Sequence, residues 1–211
     1  MTDIASNIRL IREKIPANVR IVAVSKTMPV SAIKEAYDAG HRVFGENRVN
    51  ELLSKKDQLP PDIEWHFVGH LQTNKVKSLV NSASLIHSAD SLRLLQVIEK
   101  ESEKAGTVTG CLLQFHIARE ETKYGFDPGE AAEALSTSGI LNSKHLRIRG
   151  VMGMATFTED MNVVREEFRY LRRCFGELRS RFFSDSESFS EISMGMSGDY
   201  RIAVKEGSTM V

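Results

Sequence analysis

The chain has 211 residues and little cysteine, with only Cys111 and Cys174, and no surplus charge of either sign, since 28 Lys and Arg balance 28 Asp and Glu. One cysteine falls in an apolar run and the other in an arginine-rich helical stretch. They make neither a disulfide framework nor a zinc spacing, and both are expected to be reduced packing residues. A chain without a net field is not built to recruit nucleic acid or an anionic membrane, so a small molecule is the expected partner. No apolar run is long enough to span a bilayer, and Met-Thr-Asp-Ile-Ala-Ser at the N-terminus lacks the basic start and apolar centre of a signal peptide. The expected location is the cytoplasm. Linkers, repeats and low-complexity segments are also missing, so residues 1–211 read as one domain with one core. His66 and His70 are four apart, but Glu64-Trp-His-Phe-Val68 alternates like a strand and leaves His70 in the following loop, so no metal site is expected there.

What the chain does contain is a regular alternation of apolar strand-like runs and helical patterns. Strands are expected over 20–25, 42–45, 64–68, 85–87, 111–117, 147–152 and 191–194. The helices that follow them are expected over 31–39, 49–58, 74–80, 91–104, 129–136, 162–181 and 200–205, and an extra helix over 4–14 precedes the series. Short loops between alternating elements imply parallel strands joined by right-handed crossovers. No glycine-rich dinucleotide turn follows the first strand, and polar residues follow nearly every strand, as a ring of functional loops requires. The expected fold is a (β/α)8 TIM barrel with an extra N-terminal helix.

Two features carry chemistry. Lys26 ends the apolar run Arg20-Ile-Val-Ala-Val-Ser-Lys26, where alternation puts it on one face with Val22 and Val24 and points it into the barrel. A lysine desolvated there would have a lowered pKa and could form a Schiff base with an aldehyde; a strand-end lysine can also simply snorkel into solvent. The second feature is Ser193-Met-Gly-Met-Ser-Gly-Asp199, after the seventh strand and before a short helix. Its glycines allow backbone amides close to a ligand, its serines add hydroxyls, and the helix start favours an anion, a combination suited to phosphate. A phosphate anchor and a Schiff-base lysine in one barrel describe a pyridoxal phosphate site.

The segments VAVSKTMPV, FGENRVNE, EWHFVGHLQTNKVK, LIHSADS, ETKYGF, RGVMGMA and SMGMSGDYRIAVKEGSTMV resemble the pyridoxal phosphate homeostasis protein family, related to the N-terminal barrel of alanine racemase. The resemblance runs from about the first strand to the last residue. It implies that Lys26 carries pyridoxal 5′-phosphate as an aldimine, and that Ser193, Met196, Ser197 and Gly198 lie in the cofactor and phosphate region. Asn47, His70 and Met152 match positions around the pocket. It also implies a cytoplasmic cofactor carrier for pyridoxal-dependent apoenzymes rather than a catalyst. In the family the sequence continues past the segment ending here at Val211 into an eighth strand, so most of that strand is expected to be missing and neighbouring edges exposed.

The competing reading is a pyridoxal-dependent amino-acid racemase. That reaction needs a second acid or base opposite the lysine, which the related racemases take from an added domain. Tyr124 and Tyr200 near the barrel mouth are the candidates here, whereas Tyr37 and Tyr170 fall on helices. Without the added domain a monomer is expected. Arginines 165, 169, 172, 173, 179 and 181 share one helix with Glu166, Glu167 and Glu177, and i,i+4 pairing on a solvated helix is expected to account for them rather than nucleic acid. In Glu121-Thr-Lys-Tyr-Gly-Phe126, Gly125 is expected to permit a turn, Lys123 to lie in solvent and Phe126 to cover core.

Overall fold

A computed structural model describes residues 3–120 and 124–211; Lys123 lies outside the described residues. The helix α1 (Ile4–Lys14) leads into β1 (Ala23–Val24), α2 (Val30–Asp38), β2 (Val43–Glu46), α3 (Val49–Lys56) and β3 (Glu64–Phe67). There follow α4 (Val76–Leu79), β4 (Leu85–Ala89), α5 (Leu92–Lys104), β5 (Thr109–Gln114), α6 (Pro128–Thr137), β6 (Leu146–Met152), α7 (Met161–Phe182), β7 (Glu191–Ser193) and α8 (Tyr200–Lys205). The seven strands are parallel and lie in sequence order from β1 to β7. This is the expected α/β barrel architecture.

Helix starts follow local chemistry. Ser91 caps α5 through Leu94 N–H, and Asp127 and Glu130 form a reciprocal capping box at α6 with Pro128 in its first turn. In α7, Val164, Phe168, Leu171, Cys174 and Leu178 recur at helical spacing and are buried. Cys111 and Cys174 are free and buried in the core, as expected.

Boundaries depart from expectation where backbone groups find other partners. The ladder of the first strand is short because the chain splits its pairing. Ser25 N–H bonds Gly45 O, whereas Arg20 and Val22 donate to Thr209 O and Val211 O at 2.8 and 2.7 Å. On its other side the terminal segment pairs with the seventh strand, with Thr209 N–H donating to Ile192 O and Met194 N–H to Met210 O. Met210 therefore bridges both Arg20 and Ser193. The edges expected to be bare are paired at this level by residues 209–211. The helix expected over 74–80 is instead a 3-10 turn, Thr73–Lys75, running into α4. The fifth strand leaves its ladder at Gln114, and Phe115 bridges Phe126 in the next loop.

Apolar residues occupy two layers. A large cluster lies between sheet and helices, including Phe44, Trp65, Phe67, Phe168 and, as expected, Phe126. A small one, Leu85, Leu112, Met152 and Met210 with Val22, is made by residues of alternating strand positions inside the ring. Gly45 belongs to that interior: a Cβ there would sit 3.0 Å from Val22 Cγ1 and 3.3 Å from Val24 Cγ2. The arginine-rich helix does not satisfy itself by i,i+4 pairs. Arg165 and Arg169 reach Glu206 just past α8, at 3.2 and 3.0 Å, and only Arg169 also pairs within α7, with Glu166. The run thus fastens α8, and with it the loop after β7, to α7.

Candidate functional site

At the C-terminal ends of the strands the ring opens into a cavity of about 320 Å³. Val22, Val24 and Met152 supply apolar wall, while Lys26, Asn47 and Ser193 bring an amine, an amide and a hydroxyl. Strand parity explains the grouping, because alternate residues of parallel strands share the interior face. A cavity of this size with few polar groups on an apolar wall suits a small organic ligand. A wider depression of about 620 Å³ shares His70 with it but lies outside the ring, among Asp90, Ser91 and residues of α6.

Lys26 sits on the cavity wall with Val22 and Val24, as alternation requires, but it is exposed. Of the two placements open to a strand-end lysine, burial and snorkelling, it takes the second. What is buried is the apparatus beneath it. Lys55 Nζ donates to Glu46 Oε1 at 2.7 Å, Glu51 Oε1 at 2.6 Å and Ser25 O at 2.8 Å, and Ser25 Oγ donates to the same Glu46 oxygen. Glu51 also accepts from Thr27 N–H, and the Lys55 hydrogen bond is the main reason its carboxyl titrates below the usual range. Thr27 itself has φ 64°, a left-handed conformation that a β-branched residue adopts only when its surroundings impose it. The turn presenting Lys26 is thus held from below by a buried ion cluster.

Ser193, at the end of β7, contacts His87 Nδ1 at 3.0 Å, and His87 Nε2 lies 2.9 Å from His66 Nδ1. Both rings point into the barrel and are about 1% exposed. Burial, chiefly, holds His66 down to about 2 and His87 to about 3, so both are neutral at pH 7.

The loop from Ser193 to Asp199 matches expectation in part. Gly195 has φ 104°, and a Cβ there would fall 2.7 Å from Ala203 Cβ, so glycine lets the loop pack on α8. Met196 lies on the cavity wall, but Ser197 and Gly198 are exposed and outside the lining, and Gly198 has nothing within 4 Å of a built Cβ. Asp199 Oδ1 accepts from Met196 N–H at 2.5 Å, taking one amide that an anion would otherwise use. Partial burial raises the Asp199 carboxyl.

His70 lies at the cavity edge, exposed, with Nδ1 3.2 Å from Asp90 Oδ2 and its ring stacked on Tyr124 at 3.8 Å. It is separate from His66, which points inward to His87. Among the described residues no group of three His, Cys, Asp or Glu side chains is arranged to hold a metal ion. No described helix is long and apolar enough to cross a membrane. Sequence reasoning missed His87 and Asp199. His87 shares the inward parity of Leu85, which was the available signal; nothing local marked Asp199 as turned back on its own loop.

Residues 1–211 match the family described as alanine racemase, N-terminal domain. A pyridoxal phosphate homeostasis protein of Aquifex aeolicus is 38% identical over 193 residues, covering 91% of this chain and 82% of the relative. PipY of Synechococcus elongatus, 34% identical, aligns over 98% of this chain and 95% of its own, with a TM-score of 0.92 without PLP and 0.88 with PLP bound. Alanine racemase of Bartonella henselae, in a structure with covalently bound pyridoxal phosphate, shares the fold at 16% identity and a TM-score of 0.73. The match covers 98% of this chain and 57% of the racemase.

Proposed function

We propose, for a chain that belongs to the alanine racemase N-terminal domain family, that the barrel cavity binds pyridoxal 5′-phosphate and that the protein serves intracellular vitamin B6 homeostasis. The observation that carries this reading is the placement of Lys26 and Ser193 on one cavity of about 320 Å³ with an apolar wall. An aromatic ring suits Val22, Val24 and Met152; an aldehyde suits the amine; a phosphate suits the hydroxyl and the loop behind it. PipY with PLP bound and the homeostasis protein of Aquifex aeolicus support it.

In this reading Lys26 forms an aldimine: its neutral amine adds to the aldehyde and water leaves. Asn47, His70, Met152 and Met196 border the cofactor, Ser193 meets the phosphate, and Ser197 and Gly198 form the outer rim. The exposure of Lys26 suits reversible binding, because water or an incoming amine can reach the linkage and release the cofactor to an apoenzyme. Turnover is not part of the role. Neither Tyr124 nor Tyr200 lines the barrel cavity, which leaves neither placed as a second acid opposite Lys26.

The test is a titration with pyridoxal 5′-phosphate followed by visible absorbance, for the natural chain and Lys26→Ala, together with amino-acid α-proton exchange in deuterated water. A yellow band lost in Lys26→Ala, without proton exchange, is the expected result. Exchange dependent on Lys26 would replace the carrier by a racemase, and absence of a band in the natural chain would remove the cofactor reading.

A further inference from the structure

Ser193 and His87 line the cavity and His66 lies behind His87, and the proposed aldimine chemistry gives neither histidine a part. The contacts of 3.0 Å from Ser193 Oγ to His87 Nδ1 and 2.9 Å from His87 Nε2 to His66 Nδ1 are both hydrogen-bonding distances. Each imidazole is neutral, so each carries one N–H and one bare nitrogen. Only two proton arrangements then satisfy both contacts. In one, His66 Nδ1–H donates to His87 Nε2, His87 Nδ1–H donates to Ser193 Oγ, and the serine proton is free to point into the cavity. In the other every donor is reversed, and Ser193 gives its proton to His87 and shows only lone pairs to the cavity.

The two arrangements make opposite sites. The first offers a donor to an anion; the second repels one. An oxyanion in the cavity selects the first, because it accepts the serine proton there and would meet only lone pairs in the second. Arg20 and Arg149 do not set the direction, since each faces a carboxylate, Glu64 and Glu191 respectively. Burial strengthens the effect, because both rings are about 1% exposed and lie in a weakly screening interior. The Met196 amide, a competing donor of the same loop, is already held by Asp199.

We propose that His66 and His87 form a buried relay that fixes Ser193 as a hydrogen-bond donor to an oxyanion in the cavity, which makes both histidines positioning residues for the phosphate end of the ligand. This rests on the cofactor reading for the identity of that ligand and adds to it a definite tautomer at each ring.

Nitrogen-15 NMR of the full chain labelled at histidine, with and without pyridoxal 5′-phosphate, tests it. Both His66 and His87 are expected as Nδ1–H tautomers with the ligand present. A second measurement compares pyridoxal 5′-phosphate with pyridoxal. His87→Phe is expected to weaken the phosphate-bearing ligand about tenfold, the worth of a charge-assisted hydrogen bond, while leaving pyridoxal little changed. An Nε2–H tautomer at His87 in the ligated protein, or equal losses for both ligands, would overturn the relay while the cofactor reading stands. If the natural chain gives no absorbance change with pyridoxal 5′-phosphate, the cofactor reading fails first and the relay loses its ligand with it.

Discussion

Lys55 Nζ lies 2.7 Å from Glu46 Oε1, and both side chains are buried beneath the turn that presents Lys26. Two lysines near one strand end thus have opposite assignments. Lys26 is exposed on the cavity wall, whereas Lys55 is buried against two carboxylates and the Ser25 carbonyl. The buried one shapes the backbone so that the exposed one has a fixed place.

Removing Lys55 leaves Glu46 as an uncompensated buried charge. Lys55→Met should therefore lower stability by about 3–5 kcal/mol, read from urea unfolding. Removing the charge as well, in Lys55→Met with Glu46→Leu, should restore much of the loss, whereas the strained Thr27 turn should stay released and keep cofactor binding weak. A single substitution costing under about 1 kcal/mol would show that the cluster does not hold the turn.

Acid should weaken the fold through the histidine pair. In the unfolded chain histidine titrates near 6.5, while in the fold His66 is held at about 2 and His87 at about 3. As pH falls below 6.5 the unfolded chain takes up protons that the folded chain refuses. Stability should fall as pH drops below about 6.5, by roughly 1 kcal/mol per pH unit for each histidine between about pH 6 and 5. Urea midpoints at pH 7, 6 and 5 measure the slope, and His87→Phe should reduce it by about half. An unchanged slope in that variant would place the acid sensitivity elsewhere.

The glycines of the loop after β7 should separate cleanly. Gly195→Ala forces a side chain into a left-handed position against Ala203 and should displace α8, with a loss of about 1–3 kcal/mol and weaker cofactor binding. Gly198→Ala meets nothing within 4 Å and should change stability by less than about 0.5 kcal/mol. Thermal unfolding and cofactor titration of the two variants, side by side, check the contrast.

The alternation of strands and helices was legible because each element buries one face, and parity alone put Val22, Val24 and Lys26 together on the cavity wall. Pairing partners were not legible. Nothing in the run from Arg20 to Ser25 shows that its first half pairs with residues 209–211 and its second half with β2, since that is decided by ring closure. The arginines of α7 looked like an i,i+4 ladder because charge spacing is local information, yet their main partner, Glu206, comes from beyond α8. Whether Lys26 is buried or snorkels was left open for a related reason: parity gives the direction of a side chain but not its depth, and the strand end lies at the mouth. His87 was readable by parity with Leu85, but its partners Ser193 and His66 come from other strands.

In the proposed function Lys26, and no other lysine, takes the cofactor aldehyde. Borohydride reduction of the protein mixed with pyridoxal 5′-phosphate, followed by peptide mapping, tests it most directly. One labelled peptide is expected, the one containing Lys26, with Lys55 unlabelled because it is buried in its ion cluster. Label spread over several surface lysines, or absent from the Lys26 peptide, would contradict it.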